Sequence, residues 1–179
     1  MVGEIASFAP VAYPASGNRD RLGSAEQAQR TVPLAAAASN ALAPAGGAPY
    51  CPPRAASTAE QRAIFGEFVQ KFLIEKNATR ALLDHAAEDY IQHNPFFLSG
   101  RQVAIDALSG FPSSAVNYTI INQGFDADRG WVHYRLDTAG APEPSAVVDI
   151  FRLEGTCIRE HWDVIQQKPA NATNPIAMW

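Results

Sequence analysis

Several residue types and motifs are scarce in this 179-residue sequence, and their scarcity limits its function. It has only two cysteines, too few for a disulfide framework or a cysteine zinc site. Its 14 lysines and arginines do not cluster, and 18 acidic residues make the formal net charge −4. Phosphate binding needs grouped cations, so we expect no nucleic-acid partner. No apolar run reaches the roughly 18 residues of a membrane-spanning helix, so we expect no membrane partner.

Motifs of common enzyme classes are also missing. The chain has no GxSxG nucleophile elbow, no Walker A loop and no GxGxxG turn. His93, His133 and His161 could supply metal ligands, but no HxH or HExxH spacing places two of them on one element. We therefore predict that the protein uses neither a metal nor a cofactor.

The first 56 residues differ in composition from the rest of the chain. They are rich in Ala, Pro, Gly and Ser and show no sustained periodicity. We predict a disordered or loosely attached arm over residues 1–56, a folded domain over 57–169 and a tail over 170–179. Residues 30–43 resemble a displaced signal segment, so we hypothesise that the mature chain begins near there.

Two features favour a secreted protein. Three glycosylation sequons begin at Asn77, Asn117 and Asn171, and Cys51 and Cys157 form one candidate pair. A disulfide between them would tie the arm to the last hairpin and stabilise the fold by roughly 4 kcal/mol on the loop-entropy model. The first residues lack the basic segment of an ordinary signal peptide, so a cytoplasmic location stays the alternative.

The folded part begins with helices. Ser57 to Glu60 form a capping box, and the apolar residues after it recur at helical spacing: Ile64, Phe65, Phe68, Val69, Phe72 and Leu73. Asn77 is a plausible cap for a second helix, and a third follows Gly100. A loop carrying residues 90–95 lies between the second and third helices.

From Val116 onward the pattern changes to strands. Segments 118–121, 131–134, 146–151 and 158–165 are rich in β-branched and aromatic residues and are separated by turn signals. Helices followed by an antiparallel meander predict an α+β fold, with the helices packed on one face of a curved sheet.

The last two strands carry the residues best suited to catalysis. Strand alternation places His161 and Asp163 on one face, together with Arg159. A hairpin turning at Gly155 would bring Asp149 close to them if its face coincides with theirs. Two carboxylates and an imidazole in a pocket can remove a proton and return it elsewhere. The alternative is that these side chains are exposed or bonded to a neighbouring strand.

Other polar and aromatic residues allow two interpretations each. His93 lies in a loop before Pro95, where it contacts a ligand or fixes a turn. His133 and Trp131 alternate along one strand, where they line a pocket or belong to the core. His85 lies on a short helix and is more typical of a surface or structural residue.

Three motifs resemble the SnoaL-like polyketide cyclase family of the NTF2-like superfamily. They are Tyr90 to Pro95 (YIQHNP), Val148 to Gly155 (VDIFRLEG) and Ile158 to Gln166 (IREHWDVIQ), in that order. The resemblance covers roughly residues 57–169. With the arm and the sequons, the chain looks like a secreted, fungal-type member of unknown substrate.

The resemblance implies a cone: a curved antiparallel sheet with about three helices closing an apolar pocket. It implies that Asp163 is the acid/base, that His161 supports it, and that Asp149 and His93 belong to the pocket. His133 and Trp131 are further candidates for substrate binding. Relatives with this cone include cyclases, isomerases, dehydratases and binding proteins, so the fold alone does not determine the function.

We therefore expect cofactor-free acid/base catalysis, by cyclisation, isomerisation or dehydration, on a small apolar carbonyl compound. The alternative is a binding protein of the same fold that holds a small apolar organic ligand unchanged. A third hypothesis is an interaction protein that forms a homodimer through its sheet.

Overall fold

The computed structural model describes residues 46–179 of the chain. The first helix, α1 (Thr58–Val69), begins at the predicted capping box: the Ser57 hydroxyl accepts from the Glu60 backbone N–H, and the Glu60 carboxylate accepts from the Ser57 backbone N–H. A π-helical turn (Gln70–Ile74) extends it. Asn77 caps α2 (Ala78–His85) by accepting from the Arg80 backbone N–H. A third helix, α3 (Arg101–Ser109), follows Gly100, so the three predicted helices are confirmed.

Five strands form one curved sheet: β1 (Ala86–Gln92), β2 (Val116–Asp126), β3 (Arg129–Thr138), β4 (Ser145–Glu154) and β5 (Cys157–Gln167). Their order across the sheet is β1-β5-β4-β3-β2. Strands β2 to β5 form the predicted antiparallel meander. The α+β cone expected from the sequence is confirmed.

One part of the strand prediction is wrong. Residues 90–92 belong to β1, which pairs in parallel with β5, so the sheet is mixed and not wholly antiparallel. The sequence of β1 carries Glu88 and Asp89 and lacks a run of β-branched residues, so its local propensity does not indicate a strand. Pairing with a strand about 70 residues later in the chain creates it.

Aromatic side chains of α1 pack against the inner face of the sheet. The rings of Phe68 and Phe151 meet edge to face with centroids 4.8 Å apart, and Phe65 lies between Phe125 and Phe151. A Cβ at Gly130 would lie 2.5 Å from the Phe65 ring, so glycine there lets the helix approach the sheet. This packing places α1 across one end of the cone.

Residues 46–56 differ from the loosely attached arm expected over residues 1–56. Tyr50 is only 1% exposed, and its hydroxyl donates to a Glu67 carboxylate oxygen at 2.5 Å. Arg54 and Thr156 exchange hydrogen bonds, and Cys51 forms a disulfide with Cys157. This segment is therefore part of the folded body. Residues 1–45, including the candidate signal segment, lie outside the described residues.

The described part of the chain ends without further helices or strands. After β5, Trp179 places its ring 4.9 Å from the Arg135 guanidinium carbon. Within residues 46–179, no helix has the length and apolar character required to cross a bilayer.

Candidate active site

A cavity of about 610 Å³ lies between the inner face of the sheet and the helices. Most of its lining is apolar and comes from α1, α3 and the strands, including Phe68, Phe72, Leu108, Val147 and Phe151. A polar group of side chains contributes to one wall: Gln92, Asn94, Asp149, His161 and Asp163. The cavity therefore combines an apolar volume with one set of acid/base groups.

The pairing of β4 with β5 assembles the centre of this polar wall. Asp149 lies directly opposite Asp163, and Phe151 lies opposite His161. Because alternate residues share a face, all four side chains project to the inner side. Ligating atoms of Asp149, His161 and Asp163 lie within 4.8 Å of one another. The structure thus brings together the three residues that the sequence identified as catalytic candidates.

A bulge changes the face of one neighbouring residue. Glu160 pairs with Arg152, whereas Ile158 pairs with Leu153, so Arg159 is the extra residue on β5. Its guanidinium binds the Asp89 carboxylate with two hydrogen bonds, at 2.6 and 2.8 Å. Arg159 therefore does not share the inner face with His161, contrary to simple alternation.

His161 is 8% exposed and has a defined tautomer. Its Nδ1 lies 2.9 Å from Oε1 of Gln92, and the same oxygen accepts the backbone N–H of Asn94 at 3.0 Å. A backbone N–H can only donate, so the Gln92 atom it meets is the carbonyl oxygen. Nδ1 must therefore carry a proton and donate it to Gln92. In the neutral imidazole, Nε2 is therefore the nitrogen that can accept a proton or bind a metal ion.

The Nε2 atom of His161 faces a carboxylate without a hydrogen bond. It lies 3.3 Å from Oδ1 of Asp149, close enough for an ion pair when the imidazole is protonated. The orientation of the ring does not allow a hydrogen bond between these two atoms, however. Nε2 is therefore a buried atom without a hydrogen-bond partner among the described residues. The other Asp149 oxygen accepts from the Tyr134 hydroxyl at 3.0 Å.

Asn94 holds Asp163 from the loop after β1. Its Oδ1 accepts the Phe96 backbone N–H at 2.8 Å, so the amide turns its Nδ2 towards Asp163 and donates to Oδ2 at 2.7 Å. No described residue bonds the other Asp163 oxygen. This half-buried carboxylate thus keeps one oxygen for a bound molecule.

Three tyrosines of the cavity remain protonated donors. Burial raises the pKa of Tyr90, and the nearby Asp149 and Asp163 charges raise it further. Burial and the Asp149 charge likewise raise the pKa of Tyr134 and of Tyr118. Phenols in this state donate hydrogen bonds and do not act as bases.

The predicted substrate-binding residues Trp131, His133 and His93 do not line the cavity, and this prediction is wrong. In β3 the inward residues are Val132, Tyr134 and Leu136, which places Trp131 and His133 on the outer face. His93 stacks on Trp162 with centroids 4.5 Å apart, and its Nε2 lies 3.1 Å from a Glu160 oxygen.

The residues missed by the sequence analysis are Tyr90, Gln92, Asn94 and Tyr134. The first three are spaced two apart, so they continue one face of β1 into the loop that follows, and His93 points the other way. Recognising residues 90–92 as a strand would have identified them.

The remaining predicted positions lie away from the polar wall. Cys51 and Cys157 are joined by a disulfide with a Cα–Cα distance of 5.1 Å. Asn77, Asn117 and Asn171 are all exposed, and Asn77 also borders the cavity. His85 is completely buried, and its Nδ1 lies 3.0 Å from the Ala81 carbonyl oxygen, which makes it a structural residue.

No protein-family model and no curated protein matches the chain, whereas solved structures match its fold. An NTF2-like protein of unknown function from Mesorhizobium loti matches with 20% identity and a TM-score of 0.52, covering 63% of this chain and 97% of its own. A protein assigned as a ketosteroid isomerase from Kribbella flavida matches with 16% identity and a TM-score of 0.52, covering 66% and 84%. A protein assigned as a SnoaL-like polyketide cyclase from Jannaschia sp. CCS1 has 17% identity and a TM-score of 0.48, covering 58% and 86%.

The chain therefore has the NTF2-like fold. At these identities the matches establish the architecture and not the reaction.

Proposed function

We propose that the protein is an acid/base enzyme that moves a proton on a small, largely apolar carbonyl compound. The observation that carries this proposal is the grouping of His161 with two carboxylates, on the polar wall of a largely apolar cavity. Cyclisation by aldol condensation, isomerisation and dehydration all begin with removal of a proton next to a carbonyl group, and one site of this kind can perform that step.

In the proposed reaction, Asp163 is the general acid/base. Asn94 holds one of its oxygens, and the other takes the proton from the carbon next to the substrate carbonyl. The proton is later returned to another carbon in an isomerisation, to the leaving hydroxyl in a dehydration, or to the new alkoxide oxygen in an aldol cyclisation. Tyr90 is a protonated phenol on the same cavity and donates to the substrate oxygen as negative charge develops there.

His161 and Asp149 support this step as a pair. When Nε2 is protonated, the Asp149 carboxylate 3.3 Å away balances the imidazolium charge. Tyr134 keeps that carboxylate in place through its hydroxyl. The pair therefore presents a positive charge near the developing enolate without rearrangement during the reaction.

A second candidate is a binding protein that holds an apolar molecule unchanged. The largely apolar lining of the 610 Å³ cavity favours it, because ligand pockets of 300–1,000 Å³ bury most of a small molecule through apolar contacts. In that case the polar wall would orient the ligand.

The two functions are separated by incubating metabolite extract with the wild type, with Asp163→Asn and with Asp126→Asn, followed by mass spectrometry. Asp126 is an exposed carboxylate at the β2–β3 turn and serves as the matched control. An enzyme converts a compound with the wild type and the control but not with Asp163→Asn. Equal conversion by all three proteins would reject Asp163 as the acid/base. A compound retained unchanged by all three would support the binding protein.

We also propose that the protein is secreted and glycosylated. The Cys51–Cys157 pair and three exposed sequon asparagines support this, since disulfides persist in oxidising compartments. Intact mass of the natively produced chain, before and after removal of N-glycans, tests it. An unmodified chain with reduced cysteines, retained in the cytoplasm, would reject it.

We further propose a homodimer that forms through the outer face of the sheet. That face carries Trp131 and Val164, which are 38% and 67% exposed. Light scattering with Val164→Glu tests the proposal. The charge should convert a dimer to a monomer, and a wild type that is already monomeric would reject it.

A further inference from the structure

The polar wall also has the features of a cation site. His161 has a side chain that is nine-tenths buried, and its Nε2 has no hydrogen-bond partner in the part of the chain that the structure describes. This atom faces the polar wall, with Oδ1 of Asp149 3.3 Å away. Two ligands bound to Zn²⁺ at about 2.0–2.1 Å, with a tetrahedral angle between them, lie about 3.3 Å apart. The two atoms are therefore spaced as ligands of one metal ion.

Charge balance points to the same conclusion. Asp149 and Asp163 place two carboxylates on a partly buried wall, and the hydrogen bond from Nδ1 to Gln92 leaves the Nε2 atom of His161 available to bind a cation. Among residues 46–179, no lysine or arginine lines this part of the cavity; Lys76, the one lysine or arginine of that range in the lining, lies beyond the N-terminus of α2. A divalent cation would neutralise both carboxylates at once.

The hydrogen bonds behind the three side chains match those of known metal sites. A ligating histidine usually donates its other ring N–H to an oxygen, which fixes the tautomer and the ring orientation. His161 does so to Gln92, while Tyr134 orients Asp149 and Asn94 orients Asp163. All three candidate ligands are thus held by a second residue.

We propose that Asp149, His161 and Asp163 bind one divalent cation of the zinc class. A rotation of the Asp163 carboxylate completes the set, since its ligating atom already lies within 4.8 Å of the other two. The remaining coordination position is open to water or to an oxygen of a molecule in the cavity, as in zinc sites with three protein ligands.

Cation binding and the proposed proton transfer exclude one another at this site. The cation takes the Nε2 lone pair and a carboxylate oxygen of Asp163, which are the groups that carry the proton. We therefore expect zinc to inhibit turnover and chelator to restore it. The cation site itself does not depend on the proposed reaction, because binding is measured without substrate.

The test uses the full chain stripped of metal with a chelator and then titrated with ZnCl2 by calorimetry. We expect one ion per chain in the wild type. In His161→Gln and in Asp149→Asn the dissociation constant should rise by more than roughly tenfold, and Gln92→Leu should raise it by about 10- to 100-fold. Melting curves in chelator verify that each variant is folded. Cobalt(II) gives a second measurement, because visible absorption reports a nitrogen and oxygen ligand set of low coordination number.

The matched control is His93→Gln, which removes the exposed histidine beside Glu160 on the outer face and leaves the cavity intact. It should bind zinc as the wild type does. Equal affinity in His161→Gln and the wild type, or zinc binding lost in His93→Gln alone, would overturn the proposal. So would a wild type that binds no zinc and gives no cobalt spectrum. None of these results depends on whether the acid/base reaction exists.

Discussion

The side-chain oxygen of Gln92 lies 2.9 Å from Nδ1 of His161 and at the same time accepts the backbone N–H of Asn94. The backbone therefore determines which end of the amide faces the histidine, and the amide determines which ring nitrogen carries the proton. Both proposed uses of His161 need Nε2, the ring nitrogen that this hydrogen bond leaves free.

The first prediction concerns this hydrogen bond. In Gln92→Leu the acceptor is lost, so His161 should populate both neutral tautomers. Nitrogen NMR of labelled histidine should show Nδ1–H in the wild type and a mixture in the variant. Once a substrate is identified, its turnover by Gln92→Leu should be about 10- to 100-fold lower than by the wild type, because the imidazole is no longer held in one orientation.

Gln92→Glu is the matched variant, because it keeps an oxygen at this position. It should preserve the Nδ1–H tautomer. If Gln92→Leu gave the same histidine spectrum as the wild type, the bond to Gln92 would not determine the tautomer.

The second prediction concerns the disulfide. Cys51 and Cys157 are 106 residues apart, so their bond closes a long loop in the unfolded chain. On the loop-entropy model, the double variant Cys51→Ser/Cys157→Ala should lose about 4–5 kcal/mol of unfolding free energy. Urea unfolding of the variant, and of the wild type with and without reductant, measures this. A midpoint insensitive to reductant would contradict it.

The third prediction is a loss of stability in mild acid caused by His85. Burial lowers the pKa of His85 to about 4, against an ordinary value of 6.5, and the Ala81 carbonyl only partly opposes this. Above pH 6.5 neither state binds the proton. As pH falls from 6.5 to 4 the unfolded chain binds it and the folded chain does not, so stability decreases by about 3 kcal/mol.

Urea unfolding at pH 7 and at pH 4.5 measures this decrease, and His85→Gln should reduce it. The neighbouring carboxylates of Glu67 and Asp84 both have a pKa below the ordinary value. Burial raises the pKa of Asp84, but hydrogen bonds from Lys71 and Arg80 outweigh it and leave that pKa below its usual value. An equal decrease in wild type and His85→Gln would assign the acid sensitivity to other groups.

The fourth prediction compares two glycines. A Cβ at Gly130 would lie 2.5 Å from the Phe65 ring in the core, so Gly130→Ala should destabilise the fold by about 1–3 kcal/mol. A Cβ at Gly66 meets nothing within 4 Å, and Gly66 lies inside α1. Gly66→Ala should therefore stabilise the fold by about 0.5–1 kcal/mol through helix propensity. Thermal melts of both variants test this, and the same sign in both would contradict it.

Much of the fold followed from local patterns in the sequence. The capping box at Ser57 and Glu60 marks the start of α1, because both hydrogen bonds form within four residues. The hairpin at Gly155 makes β4 and β5 neighbours, and the period of two sets His161 and Asp163 on one face of β5. These features depend on neighbours in the chain, so they are visible without the structure.

Tertiary structure alone decided the rest of the site. Strand β1 exists because it pairs with β5, and that pairing aims Gln92 and Asn94 inward while His93 faces outward. The inner face of β3 is likewise set by packing against the helices, which places Tyr134 in the cavity and His133 outside it. The sequence by itself thus determined the fold class and the shared face of His161 and Asp163. The bulge at Arg159, which sets Asp149 opposite Asp163, is visible only in the structure. The tautomer of His161 and the residues that hold the cluster depend on contacts between strands distant in the chain, whose energies are not encoded in local spacing.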